Sequence, residues 1–581
     1  MTGRFHKYLA LCTAAGLGIA TLAACTKYDS PESVAGGIEK TDSVELTLTR
    51  HLLWVNIDGA RGSLVKQMCE EGELPNISSL LKHAKYAFSG ISDSGYGVPG
   101  ESNSSSGEDP LTWASMLTGV GGYLHFIHDG SYMSDYQTGN NGALKQTISF
   151  FPTIVQYLST ENSKLHVSVV TPFANLNKYL GDASSVKTTA DDAETQTELS
   201  EQLADKDNSL TIASFRSVWD AGCDGGFSLD NAAYKNSLKK VDEYVGNLKK
   251  TIEARPNPDY EDWMIILSSN RGGSADGTHD RYTDSDRDIF GVFYYDHYTP
   301  YEMKGSTIEA PLFCGSDRLV GQVADTLGEY SIKGKTLALE FNIRMMPKSD
   351  GTYKGNNWDQ IIGKSLWGAY RQNTTVSSYI DYRKYEKAIT AANDNLWHSF
   401  FLANTNDNGK IKGATCYDGK RVLTAEGYQA DKDDYSYLYV GNALLPTAYY
   451  VSTIRMWDSD LDDPSISTLA NTVGLLPETN KNRGHLLGEW ILAPEYLKND
   501  TVIENSVKGG PYLKFNHKPT FVRIANTLPD MLASNRLMME NTLIAPQIIY
   551  WLCGASAVNA KFEGLCFLKS YALEEQWRDG E

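Results

Sequence analysis

Hydrophobic and polar positions fall into two styles along this chain. Up to about residue 310, short apolar runs alternate with stretches of three-and-four spacing. His51–Asp58 (HLLWVNID) is an apolar run ending on an Asp, and Met264–Leu267 is a short apolar run bounded by a Ser, Asn and Gly cluster, the signature of a central strand. Pro75–Leu81 has the spacing of a short amphipathic helix, and Ala190–Ala204 also reads as a helix. Leu238, Val241, Val245 and Leu248 set the apolar face of a longer helix over Ala232–Ile252. Thr211–Trp219 reads as a further strand, ending at Asp220. Strands interleaved with helices predict an α/β domain.

Around 311–325 the pattern changes. Leu337, Leu339, Phe341, Ile343 and Met345 alternate with mostly polar residues, the pattern of a half-buried antiparallel strand. Strand-like runs follow at Gln360–Lys364, Leu396–Leu402, Lys410–Tyr417, Lys420–Thr424, Tyr435–Asn442 and Val451–Asp458. Asp418-Gly419 between two of them is a hairpin signal. An antiparallel β-sandwich is predicted over 316–465, leaving a C-terminal segment over 466–581. That segment contains an apolar stretch, Thr542–Gly554, which either completes the first domain or belongs to a small third module.

Length and charge narrow the class. The chain has 581 residues, enough for two or three domains, and its net charge of −19 argues against a nucleic-acid partner. Arg4 and Lys7 precede the mostly apolar Leu9–Leu22, a stretch too short for a permanent membrane span. It ends Leu22-Ala23-Ala24-Cys25, which resembles a bacterial lipobox. That resemblance implies a signal peptide over 1–24, a lipid on Cys25 and a tether over 25–49. The plainer alternative is an ordinary signal peptide in which Cys25 is incidental. The partly acidic residues after Cys25 are similar to those of outer-membrane lipoproteins in SusC/SusD-type uptake systems. This implies an outer-membrane, lipid-anchored protein facing the cell exterior, with a SusC/SusD-type transporter as partner. The six remaining cysteines lie far apart with no CxxC, and read as free thiols rather than a disulfide framework.

Candidate chemistry sits at strand ends. Asp58-Gly59-Ala60-Arg61, Pro75-Asn76-Ile77, Trp113-Ala114-Ser115 through Thr118-Gly119 with His125, Tyr234 with Val241-Asp242, and Ser269-Asn270-Arg271-Gly272-Gly273 with His279 resemble motifs of the alkaline phosphatase superfamily. The resemblance covers about residues 50–315. It implies a mixed sheet with helices on both faces, two metal ions, and a nucleophile at the position of Asp109. The family's metal ligands map to Asp58, Asp220, the region of Cys223 and Asp224, Asn270, Arg271 and His279. Four departures matter. The family's Asp-His pair is Asn270-Arg271, and an amide oxygen binds Zn²⁺ poorly while a guanidinium repels it. The second-metal His is missing near Cys223 and Asp224. Asp109, placed before Pro110, suits a helix N-cap better than a metal-activated nucleophile, although Ser104–Ser106 could supply a displaced one. Asp58, Asp109, Asp220, Asp224, Asn270, Arg271 and His279 are therefore read as vestigial positions, with Asn270, Arg271 and Asp220 expected in a hydrogen-bonded cluster. No catalytic residue, metal or cofactor is expected there.

The second half resembles laminin-G and concanavalin-type jelly rolls, on Trp397-His398, the Tyr417–Lys420 hairpin and Val451–Asp458. Ca²⁺ is admitted for that sandwich, and binding and scaffolding roles both stay open. Thr542–Gly554 resembles a late helix of the phosphatase family. The functional expectation is a non-catalytic accessory or ligand-binding lipoprotein of a glycan or peptide uptake complex. The rival is a metal-dependent phosphodiesterase, phosphatase or sulfatase-like hydrolase with atypical ligands, holding Zn²⁺.

Overall fold

The two apolar runs become neighbours at the centre of a mixed eight-stranded sheet. The computed structural model describes residues 49–95, 107–134, 151–256, 260–313, 319–345, 359–364, 367–372, 375–380, 386–390, 394–428, 436–441, 449–558 and 562–575. Across the sheet the strands run Ser185–Thr188, His166–Thr171, Asn208–Phe215, Thr49–Ile57, Glu261–Ser268, Gly291–Tyr294, Ala84–Ala87 and Tyr301–Glu302. The first four pair in parallel, and Gly291–Tyr294 is antiparallel to both its neighbours. The α/β class read from the sequence is what folds.

Pleating explains why the runs carry no polar face. Successive side chains of a strand point to opposite sides of the sheet. Leu52, Trp54, Met264 and Ile266 enter one core, while Leu53, Val55, Ile265 and Leu267 enter the other. Helices Gly62–Glu70, Asp192–Ala204 and Ala232–Glu253 cover the second core, with Val65, Leu199 and Leu238 buried in it. Helices Pro110–Thr118 and Ile154–Glu161 cover the first, joined by Ile544–Cys553. That last helix lies far along the chain, yet Ile544, Ile548 and Trp551 pack in the same core as Trp54 and Trp113. Trp551 Nε1 also donates to His51 O at 2.8 Å.

Between these elements the chain builds two facing antiparallel sheets. One orders Lys420–Tyr428, Lys410–Tyr417, Trp397–Asp407, Thr336–Met345, Tyr449–Trp457, Thr307–Phe313 and Phe521–Ala525, with Leu486–Ile491 also paired to Tyr449–Trp457. The other runs from Glu386–Thr390 through Trp367–Gln372, Leu438–Val440 and Leu513–Phe515 to Leu497–Lys498. Leu339, Phe341 and Ile343 from the first sheet meet Ile362, Trp367 and Val440 from the second. The turn after Lys410–Tyr417 has Asp418 at φ 50° and Gly419 at φ 76°, the two left-handed residues of a type I′ hairpin.

Three expectations are corrected. The sandwich sheets start before 316 and continue past 465, because Thr307–Phe313, Leu486–Ile491, Leu513–Phe515 and Phe521–Ala525 are strands of them. Val451–Asp458, whose likeness is to the closing strand of such a jelly roll, folds as Tyr449–Trp457 inside its sheet, flanked by Thr336–Met345 and Thr307–Phe313, and later segments add further strands. Thr336–Met345 is buried on both faces beyond its first residue, and its buried Glu340 is held in an internal ion-pair cluster. Glu340 meets Arg455 Nη1 at 2.5 Å, and Glu489 meets Arg455 Nε at 2.7 Å.

Candidate functional site

The site forms where ligand sites in α/β sheets form, beyond the carboxyl ends of the central strands. Asp58 ends Thr49–Ile57, and Ser269–Arg271 follows Glu261–Ser268. Asp109 precedes the helix Pro110–Thr118. Several family-like motif residues hold these ends in place. Tyr234 Oη donates to Gly59 O at 2.9 Å and accepts from Arg61 N at 3.0 Å, so the Tyr234 helix fixes the turn after Asp58. Asp242, two turns along, accepts from Ile77 N at 2.8 Å and Asn76 N at 3.1 Å. Gly272 and Gly273 allow close passage, since a Cβ on either would fall 2.2 Å from Ser285 O or from the Phe227 ring.

At the centre is an arginine. The Arg271 side chain is fully buried, and its Nε and Nη2 donate to Asp58 Oδ1 and Oδ2 at 2.8 and 2.9 Å. This is a bidentate fork, the strongest arrangement for a guanidinium and a carboxylate. Nη2 also donates to Gly107 O at 2.9 Å, and the guanidinium stacks 3.3 Å over the Trp219 ring. Burial pushes the Asp58 carboxyl up, and the charge and hydrogen bonds of Arg271 pull against that. Burial acts to lower Arg271, but Asp58 and Asp109 outweigh it and hold the guanidinium above its ordinary value. We read the pair as ionised, because both short contacts need the charged partners.

Asp109 is the second anion of the cluster. It accepts from Arg281 Nη2 at 2.9 Å and lies 4.0 Å from Arg271 Nη1. Burial acts to raise its carboxyl; the charges of Arg281 and Arg271 reverse this and leave it below the usual range. Asp109 does occupy the N-cap position, but its side chain makes no capping bond, which corrects the helix-capping expectation. Its carboxylate is drawn into the cluster by the two guanidinium groups. Arg281 is a member that sequence reasoning missed. It sits in a loop at φ 71° and reaches Asp109 from 172 positions away, so only tertiary structure reveals it.

Asn270 belongs to a neutral network. Asn56 Nδ2 donates to Asn270 Oδ1 at 3.0 Å, Asn270 Nδ2 donates to Thr112 Oγ1 at 3.3 Å, and Asn541 Nδ2 donates to Asn270 O at 3.2 Å. His279 packs edge-on to Trp219 at 5.3 Å, and its Nδ1 lies 3.0 Å from Gly272 O. Burial, reinforced by the Arg271 charge, lowers His279 to about 4, so its ring is neutral at physiological pH.

Asp220 and Asp224 are corrected outright. The strand ends at Phe215, and the chain turns into the helix Ser217–Gly225. Asp220 is exposed in the first turn of that helix and pairs with Arg216 at 2.9 Å; Asp224 is exposed near its end. The expected Asn270–Arg271–Asp220 cluster is in fact Asp58–Arg271–Asp109–Arg281. Cys25 and Ser104–Ser106 lie outside the described residues. Ser115 and His125, the other pair of the helix motif, form a buried chain. His125 Nδ1 accepts from Ile127 N at 2.9 Å, which leaves Nε2–H to donate to Ser115 Oγ at 3.0 Å, and Ser115 donates to Asp93 Oδ2 at 2.7 Å. Ser115 is fully buried between His125 and Asp93, where it braces the two segments.

The donor set does not fit a pair of metal ions. Asp58 is committed to a guanidinium, Asp220 and Asp224 are on the outside, and two arginines supply the positive charge. No group of three His, Cys, Asp or Glu side chains placed to hold an ion occurs among the described residues.

Neither the protein-family models nor the curated proteins give a match to this chain. Solved structures do. A 2-O GAG sulfatase is 11% identical with a TM-score of 0.31, covering 43% of this chain and 65% of its own. The lipoteichoic acid synthase LtaP from Listeria monocytogenes is 11% identical with a TM-score of 0.31, covering 46% of this chain and 72% of its own. The botulinum neurotoxin serotype D/C binding domain is 13% identical with a TM-score of 0.21, covering 28% of this chain and 46% of its own. This chain thus spans just under two thirds of the sulfatase's length, and what it shares with such neighbours is coarse.

Proposed function

We propose that this protein is a non-catalytic, ligand-capturing lipoprotein, whose α/β domain has kept the frame of a metallohydrolase and replaced its cations with arginine. The Arg271–Asp58 pair carries the reading. A guanidinium neutralises the carboxylate that a metal ion would need, and it cannot ionise a nucleophile or accept a leaving oxygen as Zn²⁺ does. The leader ending Leu22-Ala23-Ala24-Cys25 supports lipidation at Cys25, and with it an outer-membrane location facing the exterior and a SusC/SusD-type transporter as partner.

Two assays test this. Purified protein supplied with Zn²⁺, Mn²⁺ or Ca²⁺ is offered aryl phosphate monoesters, diesters and sulfate esters. Turnover that Arg271→Ala does not alter is contamination or background; turnover above that variant refutes the non-catalytic reading. Fatty-acid labelling in the native host should mark the wild-type chain and not Cys25→Ala. Equal labelling of both would remove the anchor.

A further inference from the structure

A second polar centre lies away from the Arg271 cluster, in a cleft between the α/β layer and the sandwich. It encloses ≈ 630 Å³ of space, part of it open to solvent. Its walls come from both parts of the fold: Asp93, Arg287 and Asn541 on one side, Arg344 and Asn395 from the sandwich on the other.

Arg344 is the informative residue. It is 8% exposed, its Nε donates to Asn395 Oδ1 at 3.0 Å, and its Nη1 is buried with no hydrogen-bond partner among the described residues. With Nε occupied, the Nη1/Nη2 edge is the free one, the edge that takes two oxygens of one anion side by side. Arg287 lines the same cleft and is held, among the described residues, by backbone carbonyls, donating to Ser92 O at 2.8 Å and Arg523 O at 3.0 Å. Among the described residues neither arginine has an ion-pair partner within salt-bridge distance, whereas the third arginine there, Arg523, pairs with Asp284.

The acids of the cleft act on Arg287 only from beyond salt-bridge distance. Asp93 is saturated by hydrogen bonds, from Gly95 N at 2.9 Å on Oδ1 and from Ser115 Oγ at 2.7 Å and Gly122 N at 2.6 Å on Oδ2. Glu563 accepts from Gly121 N at 2.7 Å, and burial pushes it up to about 8, so at neutral pH it is largely uncharged and can donate. Burial also pushes Glu540 up, against the pull of Arg344 and Arg287.

We propose that this cleft binds a small molecule through an oxyanion group, a carboxylate, sulfate or phosphate, seated on the free edge of Arg344 with Arg287 beside it. The proposal deepens the ligand-capturing reading and rests on it.

The test is calorimetric titration of the purified protein, with EDTA present, using glucuronate, inorganic sulfate and inorganic phosphate as separate probes. At least one should bind with a Kd of about 1 mM or tighter, and the probe that does so tells a carboxylate from a tetrahedral anion. Arg344→Gln and Arg287→Gln should each weaken that binding about tenfold or more, and Arg344→Lys, which keeps the charge and loses the fork, should also weaken it. Melting temperatures within a few degrees of wild type show that the variants fold. If Arg344→Gln does not fold, Arg287→Gln and Arg344→Lys decide. Saturating binding that none of the variants weakens, or no binding of any probe, overturns the proposal. Metal-dependent turnover would sink the non-catalytic reading while leaving this EDTA titration to stand or fall separately.

Discussion

Replacing Arg271 with methionine removes both N–H donors from Asp58 and the cation from the face of Trp219. The Asp58 carboxylate then stays in a fully buried site with no counter-charge. Breaking a buried pair this way costs about 3–5 kcal/mol. Spread over a compact unit of roughly 500 residues, at about 2.1 cal/mol/K of unfolding entropy per residue, that lowers Tm by about 3–5 °C. The cost should also depend on pH. In the variant the main opposition to the burial that pushes Asp58 up is gone and only the Asn270 hydrogen bond still pulls against it, so its folded pKa lies further above the unfolded one. The folded state then holds the extra proton between those two values, and stability falls as pH rises through that window. In the wild type Arg271 opposes that push, so the slope is smaller. Scanning fluorimetry of both proteins from about pH 5 to 8 measures it. A Tm difference under about 1 °C, or one that shrinks as pH rises, refutes the claim that Arg271 neutralises a buried carboxylate. Adding Asp58→Asn to Arg271→Met removes the stranded charge and should recover part of the loss.

Other parts of the fold make independent predictions. Arg455→Met leaves Glu340 and Glu489 stranded inside the sandwich and should cost about 3–5 kcal/mol in denaturant titrations, while replacing all three with apolar residues of similar volume should be far milder. His398 lies 2.9 Å from both Asp394 and Asp418; burial acts to lower it, and those two carboxylates outweigh burial and raise it to about 9. Its contribution is therefore whole below about pH 6.5 and lost as pH rises towards 9, so the stability gap between wild type and His398→Gln should narrow over that window. Gly419→Ala strains a residue at φ 76° and puts its Cβ 2.9 Å from Ser467 Cα, which should cost about 1–3 kcal/mol in the same titrations.

Much of the first domain was legible because its signals are local. An unbroken apolar run means a strand buried on both faces, and Ser269-Asn270-Arg271-Gly272-Gly273 fixes register because the two glycines admit nothing larger. What was misread depends on contacts between distant segments. Val218 and Trp219 look like more of the strand Asn208–Phe215, but Asp192 accepts from Arg216 N and Ser217 N at 2.8 and 3.0 Å and starts a helix there, which turns Asp220 outwards. Arg281 carries no motif, so the fourth member of the cluster was invisible. The alternation in Thr336–Met345 correctly gave its inward face; the burial of Glu340 on its polar face depends on Arg455, more than a hundred residues away.

Metal content tests the central claim most directly. Protein purified without chelators and supplied with Zn²⁺, Mn²⁺ and Ca²⁺ is desalted and measured by mass spectrometry. If Arg271 stands in for a cation, the wild type holds no stoichiometric transition metal, and any Ca²⁺ that is bound stays bound in Arg271→Met. Two transition-metal ions per chain, lost on Asp58→Asn, would contradict it.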